Sequence, residues 1–401
     1  MRKILERCFA ALLLLGLLAV PAVVVLWSHS TTTAYYENRT LAAVPALTWE
    51  SLWDGSFGAD FETWLSDHMP GRTTLLMKDT EVQMDVLKRP NVSKVVVNAD
   101  GVLLPFYDYP AAPKNFEPQA EKMTARFAHL SAHIVENGGE FLFVGLPEQG
   151  TFYNDCYPED LYDRKEEMQV ADDTFFRYLS DKDVSSLDMR TVFDPLPHDP
   201  AAEKPLYSRI DHHYTFYGAY VSYRAILDRL NKNGWDLPVL EEDDLEFRVL
   251  PNPYIGSRSR KLYQQWEGGE QPVIGIQKDP VPYTRTDNGQ PSQTPLFITY
   301  EDQDQPTTYN LYMGGDFGET ILETNRPELP NALIFGDSFT NAMEPLLYTA
   351  FNETRTLDLR HYQGDKSLAD YISDYQPDIV LCIMNDTFYY TPTGNGAVWP
   401  D

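Results

Sequence analysis

The stretch ALIFGDSFTNAMEPLLYTAF, residues 332–351, holds an apolar run, a polar turn and an amphipathic helix in direct succession. The apolar run ends at Gly336, which would allow a sharp turn, and Ser338 stands where the helix begins. In an open α/β sheet this is the carboxyl end of a buried strand, the edge where such folds bind ligands. The free N–H groups of a helix start can stabilise an oxyanion beside the hydroxyl. A helix N-cap role for Ser338 or Thr340 would explain the same residues without any chemistry.

The rest of the carboxyl-terminal part alternates between apolar runs and helical segments. The run FLFVGL at 141–146 has the continuous hydrophobicity of a strand that is buried on both faces. The runs RTLDL at 355–359 and DIVLCIM at 378–384 follow the quoted stretch, with helical segments between them. Buried strands that alternate with helices predict an α/β fold with a doubly wound, mostly parallel sheet. We expect this domain to span residues 116–401.

The amino terminus predicts the compartment. Basic residues precede a charge-free apolar run over residues 8–27, which is long enough to cross a bilayer as a helix. Positive charge before the run places that end in the cytoplasm and the rest of the chain outside. Residues 1–30 are therefore predicted to be a membrane anchor or, if the small residues at 31–34 hold a cleavage site, a signal segment.

Two further segments precede the α/β domain. Residues 31–50 are polar and read as a tether. Residues 51–115 are predicted to be a small elaboration of amphipathic helices and a β-hairpin. The hairpin is VSKVVVNADGVLLP at 92–105, with its turn at Asn98 to Gly101.

Charge and cysteine content exclude some classes of partner and scaffold. The 401 residues carry a formal net charge of −28, so nucleic acid and anionic lipid surfaces are poor partners, whereas neutral glycans remain open. Three cysteines do not make a disulfide framework. Cys156 and Cys382 could pair outside the cell or be buried as small apolar residues.

A second stretch, YSRIDHHYTFYGAY at 207–220, supplies the groups that a nucleophilic serine requires. A serine hydroxyl needs an adjacent base, which a third group orients. Because residues two apart project from the same side of an extended chain, Asp211 and His213 face one way and His212 the other. Asp211 would fix the tautomer of His213, and His213 would accept the proton of Ser338.

The same Asp-His-His run could also ligate a metal ion. A family of phosphoesterases carries such a run on a metal site, but its members need further aspartates at an earlier strand end, where this chain offers only Glu148. His129 and His133 have metal-ligand spacing on one helix, without a third ligand nearby in the sequence. We predict no metal site, and a metal-dependent phosphoesterase is kept as an alternative.

Several motifs, in this order, resemble the DHHW family, relatives of the SGNH-hydrolase-like proteins that O-acetylate exopolysaccharides such as alginate. The likeness covers nearly the whole chain after the apolar run. Tyr214 stands where the family usually has tryptophan, and His361 interrupts the last motif. The motifs are ENRTLAAVPALTW (37–49), FGADFETWLSDHMPGR (57–72), DHHYT (211–215), GDSFTNAMEPLL (336–347) and LDLRHY (357–362).

The resemblance implies an SGNH-hydrolase-like fold with a permuted motif order, in which the serine follows the aspartate and the histidine. It implies Ser338 as nucleophile, His213 as base and Asp211 as the orienting acid, and it implies no cofactor. Candidates for binding the oxyanion or the substrate are Asn341, Tyr214, His212 and Arg360. Solvation on a helix surface is the alternative for Asn341, and an ion pair is the alternative for Arg360.

The expected function is an extracytoplasmic serine O-acyltransferase, or an acetylesterase, that acts on a polysaccharide through an acyl-serine intermediate. In the relatives a multi-pass membrane O-acyltransferase hands over the acetyl group, so such a partner is implied here. Membrane attachment is expected through the amino-terminal helix. A non-catalytic cell-envelope protein that binds glycans is the other alternative, since 25 tyrosines and 7 tryptophans suit sugar stacking as well as a core.

Overall fold

The computed structural model describes residues 2–24, 26, 30–97, 101–107, 116–266 and 268–400. The chain forms two compact units, which are described separately here. Unit 1 comprises Met1–Ser93 and Ser259–Glu267, and unit 2 comprises Lys94–Arg258 and Gly268–Asp401. Most of the turn expected at Asn98 to Gly101 lies outside the described residues. The boundaries given above for the anchor, the tether, the elaboration and the catalytic domain stay predictions.

The helices and strands of the described residues are numbered in chain order. The α-helices are α1 (Arg2–Val23), α2 (Trp49–Trp53), α3 (Ser56–Asp67), α4 (Arg72–Glu81), α5 (Phe116–Glu136), α6 (Gln149–Phe152), α7 (Lys165–Asp181), α8 (Arg190–Phe193), α9 (Phe216–Lys232), α10 (Ser257–Lys261), α11 (Thr340–Leu347) and α12 (Leu368–Tyr375). The strands are β1 (Thr33–Ala34), β2 (Arg39–Thr40), β3 (Asn91–Val92), β4 (Val95–Val97), β5 (Leu103–Pro105), β6 (Glu140–Leu146), β7 (Ser186–Asp188), β8 (Leu245–Val249), β9 (Val273–Gln277), β10 (Thr284–Asp287), β11 (Gln290–Pro291), β12 (Glu319–Glu323), β13 (Ala332–Gly336), β14 (Glu353–Leu357) and β15 (Ile379–Asn385).

Unit 2 is built on an eight-stranded sheet in the order β11-β10-β12-β14-β13-β15-β6-β7. The five strands from β14 to β7 run parallel to one another. At the other edge β12, β10 and β11 pair in antiparallel fashion. The predicted α/β class with a mostly parallel sheet is therefore confirmed. The antiparallel edge comes from residues 231–330, an irregular block rich in Pro, Gly and Gln in which the sequence shows no clear strand pattern.

The central strands are buried on both faces, as their continuous hydrophobicity predicted. Alternate residues of β6, β13 and β15 contribute to two separate cores. Helices α9 and α11 pack into one core, and α5, α7 and α12 pack into the other. Helices on both sides of the sheet make the fold doubly wound.

The chain reverses direction across the sheet at β13. From β13 it passes through α11 to β14 on one side, and then through α12 back to β15 on the other side. The carboxyl end of β13 is therefore a topological switch point, where open α/β sheets bind their ligands. Gly336 ends this strand, and a Cβ atom there would lie 1.9 Å from the carbonyl oxygen of Ile383. Close approach of two strands, and not a left-handed turn, is what requires glycine at this position.

Unit 1 contains the segment that the sequence assigned to a membrane anchor or signal. Among the described residues, α1 is the one helix long and apolar enough to cross a bilayer, through its part Glu6–Val23. A cleavable signal sequence would meet the same criteria.

Two motifs of the resemblance meet inside unit 1. Arg39 binds both carboxylate oxygens of Asp67, at 2.8 and 2.5 Å. Arg72 pairs in the same manner with Glu37. The hydrogen bonds from Arg39 lower the pKa of Asp67 to about 2. The ENR segment is thus attached to the ends of α3 and α4 by paired, charge-assisted hydrogen bonds.

Candidate active site

Asp211, His213 and Ser338 form a continuous hydrogen-bonded chain in unit 2. Nε2 of His213 lies 2.7 Å from Oγ of Ser338, and Nδ1 lies 2.6 Å from Oδ1 of Asp211. Asp211 and His213 are buried, whereas Ser338 is partly exposed. A nucleophile, a base and an acid in this order have the geometry of a catalytic triad.

The carboxylate of Asp211 is held by backbone donors as well as by the imidazole. The N–H of Ser257 donates to Oδ2 at 2.6 Å, and the N–H of His213 donates to Oδ1 at 3.1 Å. Burial acts to raise the pKa of Asp211, but the charge and hydrogen bond of His213 outweigh it, so that the pKa is lowered overall. Asp211 is therefore ionised and accepts from Nδ1, which leaves Nε2 free to accept the serine proton.

Buried polar contacts shape the turn that carries Ser338. Oδ1 of Asp337 accepts from the N–H of Phe339 at 3.0 Å. Oδ2 of Asp337 accepts from the backbone and side-chain nitrogens of Asn385, both at 2.8 Å. The residue at the N-cap position of α11 is Phe339, with no side-chain cap. Neither Ser338 nor Thr340 caps the helix, so the N-cap alternative is wrong.

Two tyrosines contact the candidate site, one at the His213 ring and one at the backbone next to Ser338. The ring of Tyr309 lies flat on the imidazole of His213, with 3.6 Å between centroids and 4° between planes. The hydroxyl of Tyr214 donates to the carbonyl oxygen of Phe339, next to Ser338. Burial raises the pKa of Tyr214 well above its usual value, so the phenol keeps its proton and can donate. Tyr214 thus lies beside the site, but it acts on the backbone of the serine turn.

The other predicted site residues all have partners within the fold. Nδ1 of His212 lies 2.7 Å from Oγ of Ser257, and its ring is partly exposed next to that of His213. The buried Asn341 donates from Nδ2 to Asp316 at 2.7 Å and is not on a solvated surface. Oxyanion binding by Asn341 would require that bond to open.

Arg360 forms an ion pair with Asp358. Its Nε lies 2.9 and 3.1 Å from the two carboxylate oxygens, and its Nη2 lies 2.5 Å from Oδ2. The ion-pair alternative therefore describes the geometry of this side chain. Nη2 is also 3.7 Å from Asp316, the acceptor of Asn341, so the pair belongs to a polar cluster that reaches α11.

A buried ion pair between Arg258 and Glu148 lies next to the backbone N–H that binds Asp211. Nη2 of Arg258 pairs with Glu148, and its Nε donates to Oε1 of Gln149 at 2.8 Å. Arg258 follows Ser257, whose N–H binds Asp211. Glu148 comes after β6, so the pair connects the sheet to the first turn of α10, whose Ser257 N–H binds the carboxylate.

Among the residues that the structure describes, two groups of side chains have a spacing that would suit a metal ion. Asp211, His212 and His213 each present a ligand atom within 4.8 Å of one another, as do Asp316, Asp358 and His361. In the first group, Asp211 and His213 use these atoms within the hydrogen-bonded chain described above. The second group was not predicted from the sequence, because Asp316 is far along the chain from Asp358 and His361. Its Asp358 is the partner of Arg360.

Sequence reasoning missed Tyr309, Ser257 and Arg258. All three come from the block before residue 330, which had no helical or strand periodicity to place them. Ser257 is 46 residues from Asp211 along the chain. Single residues of common types in such a segment give no linear signal, whereas Asp211 and His213 are adjacent to each other and carry recognisable chemistry.

The family profile of the SGNH hydrolase-like domain of acetyltransferase AlgX matches residues 104–307. The matched range contains Asp211 and His213 and ends before Ser338. No curated protein matches the chain.

Similar solved structures include PatB1 of Bacillus cereus, with 23% identity, a TM-score of 0.63, and coverage of 74% of this chain and 96% of that chain. PatB1 with a sulfonyl adduct matches with 21% identity, a TM-score of 0.62, and coverage of 75% and 98%. A DHHW family protein from Eubacterium siraeum matches with 18% identity, a TM-score of 0.58, and coverage of 77% and 95%. The resemblance stated from the motifs is therefore confirmed.

Proposed function

Because the chain belongs to the family of SGNH hydrolase-like domains of acetyltransferase AlgX, we propose that it is an O-acetyltransferase that uses Ser338 as its nucleophile. The observation that carries the proposal is the hydrogen-bonded chain from Asp211 through His213 to Ser338, with contacts of 2.6 and 2.7 Å. These contacts provide what acyl transfer requires, namely a hydroxyl, a base within reach and an acid that orients the base.

The first half of the reaction forms the acyl-serine. Nε2 of His213 takes the proton of Ser338 while Oγ attacks the carbonyl carbon of an acetyl donor. The tetrahedral intermediate collapses, the bond to the leaving group breaks, and the imidazolium returns its proton to that group. Asp211 stabilises the imidazolium throughout and keeps its own charge.

The second half transfers the acetyl group. Nε2 of His213 removes the proton of an acceptor hydroxyl, whose oxygen attacks the acetyl-serine carbonyl. Collapse of this intermediate releases the acetylated acceptor and returns the proton to Oγ of Ser338. A sugar hydroxyl as acceptor makes the enzyme a transferase, and water makes it an esterase, with identical catalytic residues.

The acceptor is a cell-surface or extracellular polysaccharide, and the body acts outside the cytoplasm. The apolar α1 and the basic residues before it support this orientation. Retention of α1 would keep the enzyme at the membrane surface, where a multi-pass O-acyltransferase can supply the acetyl group. The resemblance to exopolysaccharide acetyltransferases supports this partner and this acceptor class.

The proposal is tested by acetylation of the native polymer. Cells that carry Ser338→Ala in the full chain should lose ester-linked acetate from their surface or secreted polysaccharide, measured by hydroxylamine release after the polymer is isolated. Ser180→Ala, which changes an exposed serine of α7, should leave the acetate content unchanged. Unchanged acetate in the Ser338→Ala cells would overturn the proposal.

The alternatives give different outcomes in the same experiment. A glycan-binding scaffold predicts that purified Ser338→Ala protein keeps its polysaccharide affinity and that the polymer keeps its acetate. A metal-dependent phosphoesterase at Asp211, His212 and His213 predicts phosphate ester hydrolysis that a chelator removes and that Ser338→Ala leaves intact.

A further inference from the structure

Exposed apolar side chains are concentrated in one part of the chain. Of the large exposed apolar residues among the described residues, eleven lie between Tyr35 and Leu87, and five lie in the much longer unit 2. Soluble surfaces carry such residues singly, whereas a concentration of them marks an interaction surface. Unit 1 therefore has an apolar surface outside α1 that the fold of unit 1 does not cover.

The most exposed of these residues lie on α2. The side chains of Trp49 and Trp53 are 89% and 96% exposed, and Leu52 between them is 50% exposed. Thr48 and Ser51 cap the helix reciprocally, so α2 is a formed turn that holds the tryptophans in place. The segment 41–53 carries a single charge, on Glu50.

A second exposed stripe runs along α4 and the π-helical turn that follows it. Leu75, Val82 and Val86 are 59%, 45% and 71% exposed. Their spacing of seven and four residues puts them on one side of a continuous helical segment. The charged Lys78, whose side chain is 70% exposed, lies on the same side of the helix, so this stripe is mixed in character and not wholly apolar.

We propose that the exposed apolar side of α2, with Trp49, Leu52 and Trp53, inserts into the interface of a phospholipid bilayer, as a second membrane contact besides α1. Unit 1 also contains α1, the helix that meets the requirements of a membrane span, so α2 belongs to the same compact unit as that helix. The inference rests on retention of α1, as in the function proposed above. It does not depend on the chemistry of Ser338.

The chemistry of the exposed side chains fits lipid better than a polar partner. Tryptophan has an apolar ring system and one N–H donor, so it favours the boundary between acyl chains and head groups. Short amphipathic helices with tryptophan and leucine lie in this plane. The chain carries a net charge of −28, so attraction to anionic lipid cannot supply the binding energy. The contact should therefore be insensitive to salt and should form on zwitterionic lipid.

The test uses the full chain in nanodiscs of phosphatidylcholine, with or without bromine atoms near the head-group end of the acyl chains. Bromine quenches only tryptophans that contact the lipid. Brominated lipid should quench the tryptophan fluorescence of the wild-type protein. In Trp49→Phe/Trp53→Phe, which lacks two of the seven tryptophans, the quenching due to these two should be lost. Trp235→Phe/Trp399→Phe, which removes two tryptophans from unit 2, should keep it. Equal circular dichroism and melting temperatures verify that all variants fold.

Three results would overturn the proposal. The first is equal quenching of the wild type and Trp49→Phe/Trp53→Phe. The second is a blue shift of tryptophan emission, which reports burial, only in discs that hold two copies of the protein. That result would assign the surface to a second copy of the chain. The third is solvent exposure of both tryptophans in every disc, which would assign the surface to a protein that the discs lack. Quenching that persists from low to high salt supports insertion by apolar contact.

Discussion

At the scale of single residues, Tyr309 is the main addition to the predicted site. Its ring covers one face of the His213 imidazole, at a centroid distance of 3.6 Å. The contact shields the base from water and limits rotation of the imidazole, so Tyr309 acts as a positioning residue. Its hydroxyl is buried and has no hydrogen-bond partner among the described residues. The ring, and not the hydroxyl, should therefore be the part of this side chain that positions the His213 imidazole.

Two replacements of Tyr309 should distinguish the effect of its ring on activity from the effect of its hydroxyl. Tyr309→Phe should keep the acetyl-transfer rate within about twofold, because the hydroxyl makes no bond that the change would break. Tyr309→Leu should lower kcat by roughly 3- to 10-fold, as expected for the loss of an aromatic pair worth about 0.5–1.5 kcal/mol. KM should change little in steady-state kinetics, since the ring contacts the base. Equal damage by Phe and Leu would contradict this role.

Asp211 should affect the acetyl-transfer rate by fixing the tautomer of His213. Asp211→Asn keeps the size of the side chain but offers an N–H₂ group that favours the wrong imidazole tautomer. Transfer to a small acceptor should fall by about 10³- to 10⁴-fold, with an unchanged circular dichroism spectrum. Asp181→Asn, at an exposed position of α7, is the matched control. A loss below tenfold would show that Asp211 does not orient the base.

The three residues of the proposed triad could be selected from the sequence because each has distinctive chemistry beside a recognisable boundary of an element. Asp211 and His213 lie two residues apart before a helix, and Ser338 follows a buried strand. The supporting residues were not predictable in this way. Ser257 contributes a backbone N–H, which any residue type could provide, and Tyr309 contributes a ring from a segment without periodicity.

At the scale of elements, the first turn of α10 is held by the Glu148–Arg258 pair. Both side chains are buried, so loss of one partner leaves a charge in a poorly solvated place. Glu148→Gln should lower the free energy of unfolding by about 3–5 kcal/mol, measured by urea denaturation. It should also lower activity, because the N–H of Ser257 would no longer be fixed against Asp211.

A double replacement distinguishes charge burial from packing. Glu148→Leu/Arg258→Met removes both charges and should cost less unfolding free energy than either single change. Additive losses would mean that the two side chains do not act as a pair.

Elements buried on both faces were predictable, and elements at the sheet edge were not. The runs that became β6, β13 and β15 are almost wholly apolar, since helices cover both faces of these strands. Strand β10 has no apolar residue and buries Arg285 and Asp287, β12 mixes polar and apolar residues, and β11 is two exposed residues long. Such short, mixed segments resemble loops in sequence, and only the partner strand makes them part of the sheet.

At the scale of the whole molecule, buried carboxyl groups should make stability depend on pH. Burial raises the pKa of Glu344 in α11 to about 7. A glutamate in an unfolded chain has a pKa of about 4.3. Because the folded state holds the proton more tightly, the contribution of this group favours folding at low pH. That contribution is lost as the pH rises from about 4.3 to about 7.

Glu344→Gln should therefore remove part of the pH dependence of unfolding. The wild type should lose on the order of 1–3 kcal/mol through this group between pH 5 and pH 8. The Gln variant should lack that loss. Its free energy of unfolding should therefore fall less between pH 5 and pH 8 than that of the wild type. Urea denaturation at both values measures the difference, and Glu323→Gln, an exposed change on β12, should have no effect. Parallel pH profiles for the wild type and Glu344→Gln would contradict the assignment.

The most direct test of the account is the mass of the peptide that contains Ser338 after the full chain has reacted with an activated acetyl ester and been quenched in acid. The account predicts one acetyl group on Ser338 in the wild type, and none there in His213→Asn, which has no base within reach of Oγ. An unmodified Ser338, together with continued release of the leaving group by Ser338→Ala, would contradict it.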